Sequence, residues 1–352
     1  MNQRHRVTRL AAALAMTLTC AAPIAVVAPS PAQAAVPRVA ASYQSLMYRS
    51  LTADATMAKY RAALSAELAT LKTRTAGVAQ ATKANDTAQT RLITVTTAHA
   101  GVHDRLKSAE RALSDAKNAL ARVSKQRPRS KAAIARAKRA VTAATSTRDA
   151  RRARLHEAAA TLRAAKKDVG TAGAALTLAS SARATAASAV ERTQRRIAGA
   201  GTAAGFAAQA TVLSRDVVAE VRPKFTIKDT TTVYGTTVHR SVAYAFKRMV
   251  DDARADGIAL AGGGFRTKER QIQLRTINGC PDVWTAPASS CRVPTAIPGR
   301  SLHEIGLAVD VTSGGRTLTR KSKAFAWMAA HADEYGFVNL PSEAWHWSIT
   351  GG

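Results

Sequence analysis

The residues best suited to chemistry lie in three short stretches near the C-terminus: His303, Asp310, and Glu343-Ala344-Trp345-His346. Two imidazoles and a carboxylate form a donor set for zinc, with three protein ligands and a fourth position open to water. Zinc in such a site polarises a carbonyl and lowers the pKa of water to about 7. A carboxylate that does not bind the metal can then act as general base. Glu343 is the candidate. Glu304 competes, but it directly follows His303 and is expected to point away. Singly, each residue has a duller explanation: a loop histidine, a turn-capping aspartate, a half-buried sheet histidine. The zinc reading rests on their joint order.

The surrounding pattern shows what must position them. Gly306 to Val311 alternates, with Leu307, Val309 and Val311 on one face and Gly306, Ala308 and Asp310 on the other. That is a strand with a small-residue face open around an aspartate. His303 precedes it, so a turn can bring the imidazole beside Asp310. Trp345 and Trp347 are expected to face the core with His346 opposite, in a strand starting near Ala344 after a turn at Pro341. Upstream, Arg240 to Asp256 has helical periodicity and Ile258 to Ala261 reads as a short strand. Gly262-Gly263-Gly264 follows, and a helix opens at Thr267 as N-cap, which puts Arg266 at a strand-to-helix corner.

The 352 residues divide by composition. Residues 1–225 hold 37 basic and 12 acidic side chains and no Trp, whereas residues 226–352 hold 15 and 11 and all four Trp. The overall net charge is +29. Collagen, multi-span membrane proteins and disulfide-dense mini-scaffolds are excluded by this composition. At the N-terminus Arg4, Arg6 and Arg9 precede an apolar run from Leu10 to Ala22, and Ala32-Gln33-Ala34 fits small-x-small cleavage. This reads as an export signal over residues 1–34, with no span left in the mature protein. In an oxidising compartment Cys280 and Cys291, with ten residues between them, are expected to form a disulfide. A thiolate metal pair is the alternative, and no Cys-x-x-Cys spacing supports it.

Residues 35–218 read as long helices. Leu92, Leu106, Leu113 and Leu120 share one heptad slot, and Val95, Val102, Ala109, Ala116 and Val123 the other. Gln126 to Ser130 breaks the helix at Pro128. The period resumes with Ile134, Val141, Leu155, Leu162 and Val169, so an antiparallel coiled-coil hairpin is expected. Gly170 to Gly173 and Gly199 to Gly205 are expected to break it again. Such an exported cationic rod suits association with anionic cell-wall polymers, and no base-reading motif points to specific nucleic acid. Residues 219–352 are expected to form an α+β domain, a small antiparallel sheet with flanking helices.

Ser301-x-His303-x-x-Gly306-x-Ala308-x-Asp310 followed by Glu343-x-Trp345-His346 resembles the signature of the VanY-type zinc D-alanyl-D-alanine carboxypeptidases of peptidase family M15. Gly264-Phe265-Arg266-Thr267 with Gln271 resembles that family's Gly-Tyr-Arg-Ser…Gln stretch, with Phe265 in place of Tyr. The resemblance implies zinc on His303, Asp310 and His346 and Glu343 as base. It implies that Arg266 holds the substrate carboxylate or polarises the scissile carbonyl, with Ser301 and Gln271 near the substrate. The implied substrate is a peptidoglycan stem peptide, cleaved outside the cytoplasm. Two other classes compete: a catalytically silent zinc-binding module, and an envelope scaffold whose basic helices are its function.

Overall fold

Pro128 divides the helical region in two. In the computed structural model, which describes residues 36–352, α1 runs from Arg38 to Lys125 and α2 from Lys131 to Ala198. The expected export signal lies outside the described residues. Ser130 caps α2 by accepting from the Ala133 N–H at 3.2 Å. The helices run antiparallel: Glu67 meets Thr193 and Arg91 meets Asp168, so numbers rise on one as they fall on the other. Leu106, Ala109 and Leu113 are buried in α1, and Ala165, Ala186 and Val190 in α2. These fit an apolar seam closed by small residues.

The expected break at Gly170 to Gly173 does not occur, because α2 passes straight through it. Glycine in a helix interior costs roughly 1 kcal/mol relative to alanine. Two glycines do not outweigh packing along 68 residues. At Gly199 the break is real, and α3 (Ala203–Val221) follows. The start of α1 carries no acidic residue of its own, and Glu220 of α3 caps it instead, accepting from the Val39 and Ala40 N–H groups at 2.8 and 3.1 Å.

The described residues form two compact units. One comprises Gln44–Leu213 and Trp327–Phe337. The other comprises the chain up to Tyr43, Ser214–Ala326 and Val338–Gly352. After α3 come the hairpin β1 (Thr230–Val233) and β2 (Thr236–His239), then α4 (Arg240–Ala255). Val242, Phe246, Met249 and Val250 recur at helical spacing and are fully buried. Each such side chain contributes about 1.5–3 kcal/mol. Next come β3 (Leu260–Gly263), α5 (Lys268–Ile277), β4 (Ala308–Ser313), β5 (Arg316–Thr317), α6 (Lys323–His331), β6 (Val338–Asn339) and β7 (His346–Ser348). The antiparallel sheet has the order β3-β4-β7-β6, with β5 also on β4. This is the α+β architecture expected from the sequence.

Strand boundaries shift by about two residues. β3 starts at Leu260 rather than Ile258, and β4 at Ala308 rather than Gly306. Gly306 instead ends a 3₁₀ turn at φ +66°, and a Cβ there would lie 2.6 Å from the His239 backbone nitrogen. Turn closure and close approach therefore both require glycine.

His239 is a core residue that the sequence pattern did not single out. Its Nδ1 accepts from the Ser241 N–H at 3.2 Å and caps α4, while Nε2 is buried without a partner among the described residues. Burial lowers its pKa to about 4, with Asp229 opposing and Arg240 adding to the effect. The unfolded chain, at about 6.5, takes up the proton first as pH falls. His239 therefore stabilises the fold above about pH 6.5, and that contribution is lost between about 6.5 and 4. Protonated Nδ1 could no longer accept the cap. Urea unfolding followed by Trp fluorescence at pH 7 and pH 4 should show His239→Asn losing about 3 kcal/mol less than the wild type. Equal losses would reject the assignment.

Candidate metal centre

Register places the site. In the β4–β7 pairing Asp310 lies opposite His346, so both side chains project from one face of the sheet. On the other edge of β4, Asp310 pairs with Gly263, which has no side chain to crowd that face. His303 sits on the 3₁₀ turn His303–Ile305 and enters from beyond the strand end. Its carbonyl accepts from the Arg266 and Gly306 N–H groups, tying the turn to both flanking segments.

The three side chains converge. His303 Nε2 lies 3.1 Å from Asp310 Oδ1 and 3.2 Å from His346 Nδ1, and His346 Nδ1 lies 3.1 Å from the same Asp310 oxygen. Tetrahedral zinc with bonds of about 2.0–2.1 Å holds its donors about 3.3 Å apart. The proton positions argue the same way. His303 Nδ1 is 2.7 Å from the Gly264 carbonyl, which can only accept, so Nδ1 carries the hydrogen. Burial holds His303 below its usual pKa, against the pull of Asp310. In neutral His303, Nε2 is then a lone pair facing a carboxylate oxygen. Two acceptors at this separation suit a shared cation, so the donor set could hold a metal. An imidazole fixed through its other nitrogen is the usual outer support of a zinc ligand.

Asp310 shares its oxygens between two tasks. Oδ1 faces both histidines, and Oδ2 accepts from Arg266 Nη2 at 2.7 Å. Burial raises the Asp310 pKa, but the adjoining His303 and His346 rings and the Arg266 positive charge outweigh it, and the carboxyl stays well below its usual range. Arg266 thus positions the Asp310 carboxylate. Its corner is fixed by Thr267, whose hydroxyl accepts from the Arg270 N–H at the start of α5.

Glu343 lies on the turn before β7, half-buried beside His346 and Asp310. The turn is held by Asn339, whose Nδ2 donates to the carbonyls of Glu343 and His346 at 2.9 and 3.0 Å. Burial raises the Glu343 pKa, chiefly opposed by His346 and assisted by Asp310. Glu304 turns the other way, accepting from the Gly299 and Ser301 N–H groups. β7 begins at His346, two residues later than expected, and Trp345 is not a core residue. It is partly exposed and lines the cavity, while Trp347 remains buried at 3% exposure. The tight turn consumes the residues that an extended strand would have used.

A cavity of about 470 Å³ opens on His303, Asp310 and His346. Ser301 and Gln271 both line it, each almost fully buried. The Ser301 hydroxyl accepts from the His303 N–H at 3.3 Å, and Gln271 Nε2 donates to the Ala296 carbonyl at 2.7 Å. One wall comes from the segment around Ser289, Val293 and Pro294. A disulfide joins Cys280 to Cys291 at its base. Arg275, fully buried, donates to the carbonyls of Thr295, Asp282 and Ala286 from beneath. No spacing in the sequence marks Arg275 or Asn339, since their partners are backbone carbonyls brought close only by the fold.

Residues 235–351 match the family described as VanY, D-alanyl-D-alanine carboxypeptidase. A curated relative, a D-alanyl-D-alanine carboxypeptidase of Enterococcus faecalis, is 27% identical over 120 residues, 29% of this chain and 44% of the relative. The chain thus spans less than half the length of that relative. Among solved structures, a variant of the vancomycin-resistance D,D-pentapeptidase VanY in complex with Zn(II) is 23% identical. That match covers 37% of this chain and 82% of the other, at a TM-score of 0.29. The segment matched by the family holds all three metal-site side chains, Arg266 and Glu343.

Proposed function

We propose that the chain is an exported zinc peptidase that removes the terminal residue from D-Ala-D-Ala ends of peptidoglycan stem peptides. The observation that carries this reading is the triangle of donors at 3.1–3.2 Å with a spare half-buried carboxylate on its rim. The family match over residues 235–351 supports the reaction class and substrate. In this reading residues 1–34 are the export signal, 35–218 the helical region and 219–352 the peptidase domain. No helix among the described residues is long and apolar enough to cross a membrane.

His303, Asp310 and His346 would hold the zinc. Bound there, the metal supplies Lewis acidity toward a carbonyl and acidifies water. Glu343 takes the proton of the attacking water, which its burial-raised basicity favours. It then returns that proton to the leaving amine. Arg266 keeps Asp310 ionised and directed, and its positive charge favours the developing oxyanion. Ser301 and Gln271 line the peptide's path. Digestion of purified muropeptides by the zinc-loaded full chain, read by mass spectrometry, should convert pentapeptide ends to tetrapeptides. Unchanged masses would contradict the proposal.

The helical region would bind anionic cell-wall polymers. Residues 116–148, spanning the turn between α1 and α2, hold ten Lys or Arg and no Asp or Glu. The rest of α1 through α3 is far more balanced. Exposed, unopposed charge binds a polyanion in a salt-dependent way. The full chain should pellet with cell-wall sacculi at low salt and be released by about 0.5 M salt, where screening is short-ranged. Failure to pellet at low salt would remove this role.

A further inference from the structure

A carboxypeptidase substrate brings a terminal carboxylate into the site, and that charge needs a cation. Two cationic side chains line the cavity, Arg266 and Arg300. Arg266 is engaged, its Nη2 bound to Asp310 Oδ2 at 2.7 Å. Turning its guanidinium toward substrate would strip a metal ligand of its partner. Arg300 differs in that its side chain is exposed and no carboxylate among the described residues pairs with it.

Its backbone, by contrast, is fixed on every side. The Arg300 N–H donates to the Ile297 carbonyl at 2.9 Å. On either side, the N–H groups of Gly299 and Ser301 donate to the Glu304 carboxylate at 2.9–3.3 Å. Their two carbonyls accept from Arg222 Nη1 at 2.7 and 3.3 Å. Arg222 and Glu304 thus form a charged frame around three residues, while the head group they present stays free. A cation on a fixed backbone suits recognition, because only its side chain must be ordered on binding.

A terminal carboxylate lies one residue beyond the scissile carbonyl, about 3.8 Å in Cα spacing. Arg300 stands on the cavity rim three residues before the ligand His303. We propose that Arg300 reads the C-terminal carboxylate of the peptide, which leaves Arg266 to position Asp310. The guanidinium can take the carboxylate in a two-bond fork. This assignment rests on the peptidase reading and names its specificity residue. It also gives a purpose to the Arg222–Glu304 frame, which the hydrolytic steps do not use.

The test uses the zinc-loaded full chain and two probes, acetyl-L-Lys-D-Ala-D-Ala and the same peptide as its C-terminal amide. In the wild type the free acid should be preferred by about 10- to 100-fold in kcat/KM, the span of a charge-assisted hydrogen bond. Arg300→Gln should raise KM for the acid and bring that preference toward one. Arg300→Lys should fall between, because it keeps the charge without the fork. Calorimetric binding of both peptides to the Glu343→Gln protein, with and without Arg300→Gln, separates this proposal from the hydrolase reading. If the wild type cleaves neither peptide but acid binding still needs Arg300, the hydrolase reading fails and the carboxylate assignment stands. If Arg300→Gln keeps the acid preference in binding and turnover, or loses acid and amide equally, the assignment is overturned.

Discussion

Glu343→Gln is expected to retain zinc and to lose about 10²- to 10⁴-fold in kcat, the usual contribution of a positioned general base. The exchange keeps shape and volume and removes only the ability to take a proton. The geometry isolates that effect. The Glu343 backbone carries the turn, through its carbonyl to Asn339 and its N–H to the Leu340 carbonyl, and both bonds survive the substitution. The donor triangle of His303, Asp310 and His346 does not include the Glu343 carboxylate. Metal content should stay at the wild-type level and the circular dichroism should be unchanged. Kinetics on acetyl-L-Lys-D-Ala-D-Ala, with zinc measured on the same sample, provide the check. Full turnover in Glu343→Gln would move the base elsewhere, and Glu304 could not take the role without releasing the Gly299–Ser301 segment.

His346→Ala is expected to lose both metal and turnover. His346 Nδ1 is one corner of a three-atom site, and two donors do not hold zinc against dialysis in a site built for three. The β4–β7 ladder at this position is made by backbone, so the strand pairing should persist. His346 is 9% exposed, and truncation leaves a cavity continuous with the open site rather than a sealed void. Destabilisation should therefore stay modest beside the complete functional loss. Metal analysis after dialysis, together with the near-ultraviolet dichroism of the Trp residues, distinguishes a lost ligand from a lost fold. Zinc retained at one per chain in His346→Ala would remove His346 from the ligand set.

The convergence of His303, Asp310 and His346 was legible in the sequence because their positions follow local rules. Alternation places Asp310 on the open face of β4, and the single residue between Trp345 and Trp347 is a histidine. The hairpin was legible for a similar reason, since seven-residue spacing and Pro128 are local signals. The supporting groups were not legible. Arg222, Arg275 and Asn339 act on backbone carbonyls that lie nearby only after folding. The burial of His239 depends on close contact between its own backbone and Gly306. Trp345 was misplaced because alternation was extended into a turn, where the period of two does not apply. Gly170 and Gly173 misled in the opposite direction, local weakness being overridden by packing along the hairpin.

The central claim is that His303, Asp310 and His346 hold one zinc ion. The most direct measurement is zinc per chain, by elemental mass spectrometry, after equilibration with zinc and extensive dialysis. It compares the wild-type full chain with a variant carrying Ala at all three positions. The account predicts about one zinc in the wild type and none in the variant. No zinc in the wild type, or equal zinc in both proteins, would contradict it.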